Sequence, residues 1–366
     1  MEPSFKIPFY AKTALILIGI LAFVFTMKVG QHIIIPILYA SIFAILLNPL
    51  VNFLVRKNVN KIISISIAVI FAIFVVMGIL YVVSSQVTMF SKTYPQLVQK
   101  FNITSTEFVQ WISQKTNTPE SKINEWIKDS ESKALSNFAI GETLSEVIRI
   151  MIIGMLLPVY LFMILYYKPL LLEFVRKLFR SEYHVAVAEI LINTKNIIQS
   201  YLVGLFFEMI IIAVLNSIGL LILGIDYAII LGITGAIVNI IPYVGGIVAI
   251  ALPMIIAFVT KDSISYSVLV FCVYIFIQFI DNHYIIPKIV ASRVRINALI
   301  SVIVVLIGSA LWGVPGMFLS IPLTAIIKVV FDHIEPLKPW GFLLGNIVPT
   351  ASRFSFVNLK NKLSST

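Results

Sequence analysis

Six polar or acidic side chains stand inside otherwise apolar runs, and their spacing decides what chemistry they could share. Glu208 lies seven residues into the run 201–223, and Asn216 follows eight residues later, about two helical turns on and on roughly the same face. Gln278, Asp281 and Asn282 fall at i, i+3 and i+4 near the end of the run 264–286, so one helical face carries all three. Asn239 precedes Pro242 in a third run. Such side chains coordinate a monovalent cation, carry a proton, or hydrogen-bond a polar solute. Each also has a plainer reading. Glu208 could be a neutral carboxyl bonded to another helix, and the 278–282 group a membrane-edge anchor with Lys288. His283 adds a pH-sensitive imidazole beside them.

The elements that must position these groups include two hydrophobic stretches that are cut near their middles. The stretch 229–259 is interrupted at Pro242-Tyr243-Val244-Gly245-Gly246, and 298–330 at Gly313-Val314-Pro315-Gly316. Proline removes an N–H and blocks the preceding turn, while glycine permits unusual dihedrals and close backbone approach. Backbone freed in this way at membrane depth is tolerated only inside protein or along a wet cavity. Pro242, Gly245, Gly246, Gly313, Pro315 and Gly316 are therefore either ligand-binding backbone or simple hairpin tips. Pro36, Pro158 and Pro253 read as kinks.

Composition supports the membrane setting. The 366 residues are 59% hydrophobic and 12% charged, with a mean hydropathy of +1.01, against about 25% charged residues in a soluble domain. The fold class is an all-α integral membrane protein. The formal charge of +10 reads as basic cytoplasmic loops rather than a nucleic-acid surface. The single cysteine, Cys272, permits no intramolecular disulfide, and no Cys/His cluster has metal-site spacing. No Walker A sequence, HExxH or nucleophile–His–acid arrangement appears, so neither an enzyme nor a cofactor is expected.

Six full spans are predicted, at about 13–29, 33–54, 62–83, 148–167, 201–223 and 264–286. Lys6 and Lys12 precede the first in the manner of a signal peptide, but its length and the early second span favour a retained helix. The broken stretches divide into 229–241, 247–259, 298–312 and 317–330, of 13 to 15 residues. At ~1.5 Å per residue these are half-spans or barely spanning hairpin arms. Basic residues cluster in 55–61, 168–200, 287–297 and the tail. With the N-terminus inside, all four are cytoplasmic if each broken stretch enters and leaves on one side. The first hairpin then opens outward and the second inward. Gly235 and Gly308 each precede the hairpin proline by seven residues, which suggests an inverted repeat.

The organisation expected is N-terminal spans over 1–83, an extracytoplasmic amphipathic helical insert over 84–147, and a span with a cytoplasmic amphipathic segment over 148–200. A core with two hairpins follows over 201–335, then a cytoplasmic tail over 336–366. In the insert, Phe108, Trp111 and Ile112 share a helical face, as do Ile123, Trp126 and Ile127, and Thr118-Pro119 resembles a helix start. These helices read as a cap or an oligomer contact, with direct substrate capture as the alternative. Leu170, Leu171, Phe174, Leu178 and Phe179 give 168–200 an apolar face suited to lying along the membrane. A homo-oligomer embedded in membrane lipids is expected.

Several of these segments carry a family resemblance over nearly the whole chain. Leu47-Asn48-Pro49-Leu50-Val51, the run Pro158–Tyr166, and Ile241-Pro242-Tyr243-Val244-Gly245-Gly246 carry it, with Asp281-Asn282 and Pro287. Gly308 and Gly313-Val314-Pro315-Gly316 with Pro322 complete the pattern. Together they resemble the AI-2E transporter family, named for export of autoinducer-2. One departure stands at Leu205, after Tyr201-Leu202-Val203-Gly204, where a Gln is expected. The resemblance implies a bacterial inner-membrane transporter without ATP hydrolysis, handling an autoinducer-2-like polar solute or exchanging sodium for protons. Two functional readings from the residues agree with it: a permease for a small polar solute, and a monovalent cation/proton antiporter. A non-transporting membrane scaffold is the third.

Overall fold

The computed structural model describes residues 8–116, 140–242, 244–290 and 296–346. Among them the elements are helical. They are α1 (Phe9–Val29), α2 (Gln31–Arg56), α3 (Lys61–Thr116), α4 (Ile140–Leu178), α5 (His184–Ile222), α6 (Ala228–Asn239) and α7 (Val244–Thr260). After these come α8 (Ser265–Ile280), a π-helical stretch Asp281–Val290, α9 (Ala298–Trp312), α10 (Val314–His333) and the short α11 (Lys338–Leu344). Seven helices among the described residues are long and apolar enough to cross a bilayer, in α1, α2, α3, α4, α5, α8 and α10.

The bundle is apolar outside as well as inside, as a protein dissolved in lipid must be. On α5, Phe206, Phe207, Ile210, Val214 and Ile218 point outward, while Glu208, Ile212, Asn216 and Leu220 point inward. No residue of α1 is buried. Four packed clusters hold the interior of the described residues, one of them Ile212, Ala236, Ile277 and Ile285 around the first hairpin. Ala40, Leu47, Ile65, Ala68 and Leu161 join α2, α3 and α4. Ile35, Ile42, Tyr201, Leu202, Leu319 and Ala325 join α2, α5 and α10. Leu220, Leu231, Ile256, Val270 and Tyr274 join α5 through α8.

Close helix contacts rely on small residues, because lipid offers no hydrophobic drive to bring helices together. A Cβ on Gly232 would strike the Ser217 backbone, which seats α6 directly on α5. Gly308 and Gly316 approach backbone to backbone and close α9 on α10. Gly313, at φ 64°, makes the turn between them, a conformation that favours glycine.

Four expectations about elements need correction. First, α3 runs unbroken for 56 residues, so the start of the 84–147 insert continues the helix of the third span. Pro95 is accommodated inside that helix. The residues 117–139, with Thr118-Pro119, Ile123, Trp126 and Ile127, lie outside the described residues, as do the side chains of Phe108, Trp111 and Ile112. Second, 168–200 is no separate amphipathic element. Its residues finish α4 and begin the 39-residue α5, with one 3-10 turn at Ser181–Tyr183 between them.

Third, the helices restart earlier than the breaks implied. Gly245 and Gly246 lie in the first turn of α7, and Pro315 and Gly316 in that of α10. The bend between α6 and α7 is confined to 240–243, with Gly245 N already donating to Ile241 O at 2.9 Å. Fourth, α10 has 20 residues and is no half-span. The tip of this second hairpin reaches the far end of α1, where Trp312 Nε1 donates to Met27 O at 3.0 Å.

Candidate functional site

The polar residues of α5, α6 and α8 meet at the tip of the first hairpin. Glu208 is 6% exposed, Asn216 2% and Asp281 fully buried. Asn239 Nδ2 donates to Asp281 Oδ2 at 3.1 Å, and Gln278 Nε2 to the same oxygen at 3.4 Å. Glu208 lies within electrostatic range of Asp281. Gly246 faces the Gln278 and Asn239 side-chain oxygens, where a Cβ would crowd Gln278 Oε1. Gly245 packs on the backbone of Val238 and Asn239. One turn of α6 and two of α5 further on, Gly235 opens room for Asn216 Nδ2 and the Tyr274 hydroxyl, each 3.3 Å from where its Cβ would be.

The arrangement follows from helix geometry. Glu208 and Asn216 share the buried face of α5, and Tyr274 and Asp281 lie seven residues apart, two turns, on one face of α8. The two helices run antiparallel, so Glu208 pairs in level with Asp281, and Asn216 with Tyr274. The first hairpin reaches the level of Asp281, sixteen residues or about 24 Å along α8 from Ser265. It brings Asn239 with it.

Four buried polar atoms lack a partner among the described residues: Glu208 Oε2, Asn216 Oδ1, Tyr274 Oη and Asp281 Oδ1. All four are oxygens, and all belong to this one group. A buried polar oxygen left unpaired costs about 1–3 kcal/mol, and more if charged. Such atoms accept hydrogen bonds, bind a hard cation or hold a proton. A solely structural cluster would instead satisfy its own members.

Not every expected residue joins. Asn282 is exposed: the helix widens into a π turn at Asp281, so the i+3 pair Gln278–Asp281 is kept while the i+4 position no longer shares its face. His283 is exposed too and stacks on Phe279 at 4.2 Å. Pro242 sits half-buried in the hairpin bend. Gly313, Pro315 and Gly316 belong to a different place. Pro315 O accepts from Tyr39 Oη at 3.2 Å, Gly313 is exposed, and Gly316 is used up in packing on Gly308. Among the described residues the two hairpin tips therefore build no joint site. Gly235 and Gly308, alike in spacing, differ in use: the first borders polar groups of α5 and α8, the second its own partner helix.

Two residues were missed by the sequence reading. Tyr274 brings an unpartnered hydroxyl. Tyr201, buried at 3% exposure, stands within electrostatic range of both Glu208 and Tyr39. Each precedes an acid by seven residues, and that spacing is the signal that could have found them. The hydrogen bond to Asp281 is directly testable. Asn239→Ala is expected to lower stability by about 1–3 kcal/mol, since a buried carboxylate oxygen loses its best donor. Thermal unfolding in detergent measures this, and an unchanged midpoint would show that the bond is not made.

A polytopic α-helical membrane protein with a polar site buried behind a broken helix is the class this geometry defines. Residues 15–335 match the family model described as AI-2E family transporter, and the chain belongs to that family. YueF of Bacillus subtilis (strain 168), which bears a provisional transport-protein name, is 25% identical over 318 residues, covering 82% of this chain and 84% of that protein. The AI-2 transport protein TqsA of Escherichia coli (strain K12) is 23% identical over 335 residues, covering 91% of this chain and 95% of that protein. YhhT of the same strain is 22% identical, with the same coverage.

Proposed function

We propose that this chain is a secondary transporter of the bacterial cytoplasmic membrane that exports a small polar solute of the autoinducer-2 kind. In this reading the Glu208–Asp281 site couples transport to a proton or monovalent cation. The observation that carries it is a column of four unpartnered buried oxygens on facing helices, Glu208 with Asp281 at the tip of the hairpin held by Asn239 and Asn216 with Tyr274 about two turns of α5 away. Half-helices that end at membrane depth are where transporters place their substrate and ion sites. The name of TqsA supports the solute class. Asn216, Asn239, Gln278 and Tyr274 orient the bound species, and Gly246 admits it close to backbone.

The second reading, a sodium/proton antiporter, is favoured by the two acids themselves, since coupling to protons needs a titratable group in the path. Purified protein in proteoliposomes separates the readings. Solute movement that follows an imposed proton or sodium gradient supports the first. Sodium–proton exchange with no solute requirement supports the second. If small sugars, sodium and protons all stay put, both fail and the scaffold reading stands.

The same proposal places both termini, 168–200 and 287–297 in the cytoplasm, following the Lys and Arg clusters. Residues 291–295 lie outside the described residues. A cysteine at Ser292, in a Cys272→Ser background, is expected to react with an impermeant maleimide only in inside-out vesicles. Reaction in intact cells would overturn this topology. The unburied α1 is offered to lipid or to a second copy in a homo-oligomer. The mass of the particle in nanodiscs checks which.

A further inference from the structure

We propose that the pocket where α3 and α4 meet at their basic ends, beside α2 and α5, binds the phosphate of an anionic membrane phospholipid. The pocket measures about 430 Å³ and is lined by Asn60, Lys61, Ile62, Tyr166, Tyr167 and Leu170, among others. It stands apart from the Glu208–Asp281 site and shares no residue with it.

The charges there are positive and close. Lys61 Nζ donates to Tyr166 O at 2.9 Å and lies 5.1 Å from the centre of the Tyr166 ring. Lys168 is half-buried and donates to the buried Asn48 Oδ1 at 2.9 Å. Lys168 in turn lies within electrostatic range of both Lys195 and Lys61. Lys61 of α3 and Lys168 of α4 thus bring two ammonium groups to this corner, Lys195 of α5 lies within electrostatic range of the second, and no carboxylate is recorded against them among the described residues. The nearest acid along α4, Glu173, is committed to Arg176 at 2.6 and 2.8 Å. An ammonium has three donors, and Lys61 and Lys168 each direct one at a protein oxygen, so both retain donors for an anion. A phosphate would relieve the repulsion among the three cations and accept those hydrogen bonds.

The surroundings favour a lipid over free phosphate. Lys61 is the first residue of the spanning segment Lys61–Val82, which puts the pocket at the headgroup level, and Tyr166 and Tyr167 form an aromatic pair beside it. Beside them Ile62, Ile63, Leu170 and Leu171 are exposed and apolar. A molecule that fits both halves carries an anionic head and hydrocarbon chains. Basic pockets between helices at this level suit anionic headgroups.

The test uses the full chain in mixed micelles, titrated with phosphatidylglycerol or phosphatidylcholine and read by native mass spectrometry. The wild type is expected to retain phosphatidylglycerol and not phosphatidylcholine. Lys61→Gln/Lys195→Gln leaves the Lys168–Asn48 bond in place. It is expected to weaken phosphatidylglycerol retention roughly 25-fold, at about fivefold for each lysine, with an unchanged melting temperature in phosphatidylcholine. Equal retention by wild type and double variant overturns the site. Displacement of the lipid by millimolar inorganic phosphate overturns the lipid assignment and makes the pocket a phosphate site. If the double variant melts lower, Lys61→Arg/Lys195→Arg must restore retention, and failure to do so also overturns the proposal.

Discussion

In Glu208→Gln, ion-dependent transport is expected to fall to the level of empty liposomes, while the yield and melting temperature of the protein stay near wild type. Glutamine keeps the shape and the hydrogen-bonding capacity of the side chain but cannot ionise or hand on a proton. Glu208 Oε2 has no protein partner to lose among the described residues, so the amide breaks no recorded bond. The substitution therefore separates chemistry from folding. Glu208→Leu does not, because it also sets a branched apolar side chain against Asp281 and should reduce folded protein. Transport measured across pH in both variants reads the outcome. Wild-type activity with wild-type pH dependence in Glu208→Gln would remove Glu208 from the mechanism and, with it, the main support for the antiporter reading.

The second large effect concerns the hairpin of α9 and α10. Gly316→Ala is expected to lower stability by about 1–3 kcal/mol, the usual cost of forcing extra volume into a packed contact. Its Cβ would fall inside the Gly308 carbonyl and against Trp312 Cβ, neither of which is the loose end of a side chain. Gly78→Ala is the control. Nothing lies near its Cβ position, so the helix gains by roughly 0.5–1 kcal/mol from losing a flexible glycine. Opposite signs for the two glycines in thermal unfolding support the close approach of α9 and α10. A neutral Gly316→Ala would show that the helices stand further apart.

Much of this architecture could be read from the chain because bilayer thickness imposes a length on every apolar run. The spans of α2, α5 and α8 were legible for that reason, and so was the break at Pro242. Acids in apolar runs are conspicuous, so Glu208 and Asp281 stood out at once. Tyr201 and Tyr274 did not, because a tyrosine in an apolar helix is ordinary and only its position relative to an acid gives it meaning. Helix ends were harder. The polar continuation of α3 carries no breaker strong enough to stop it, and Pro95 sits within it. On α10, Lys328 and Asp332 pair at i and i+4 and carry the helix past its last apolar residues. Asn282 was assigned to the wrong side because a π turn leaves no clear mark in composition. The matching spacing of Gly235 and Gly308 proved uninformative about packing, since the contact each glycine makes depends on the partner helix rather than on its own neighbours.

The central claim is that the buried oxygens of α5 and α8 line a site that the transported species enters. Cysteine accessibility at Asn216 tests it most directly, in a Cys272→Ser background and reconstituted liposomes. Asn216 is buried and polar, whereas Ile218, two residues on, is 48% exposed among apolar side chains of α3 and α6. A small charged methanethiosulfonate reacts only with thiols that water reaches. The account predicts that Asn216→Cys is modified, that Ile218→Cys is not, and that the transported solute or ion slows modification at 216. Protection from modification at Asn216→Cys under every gradient, from both sides of the membrane, would show a dry structural cluster and contradict the account.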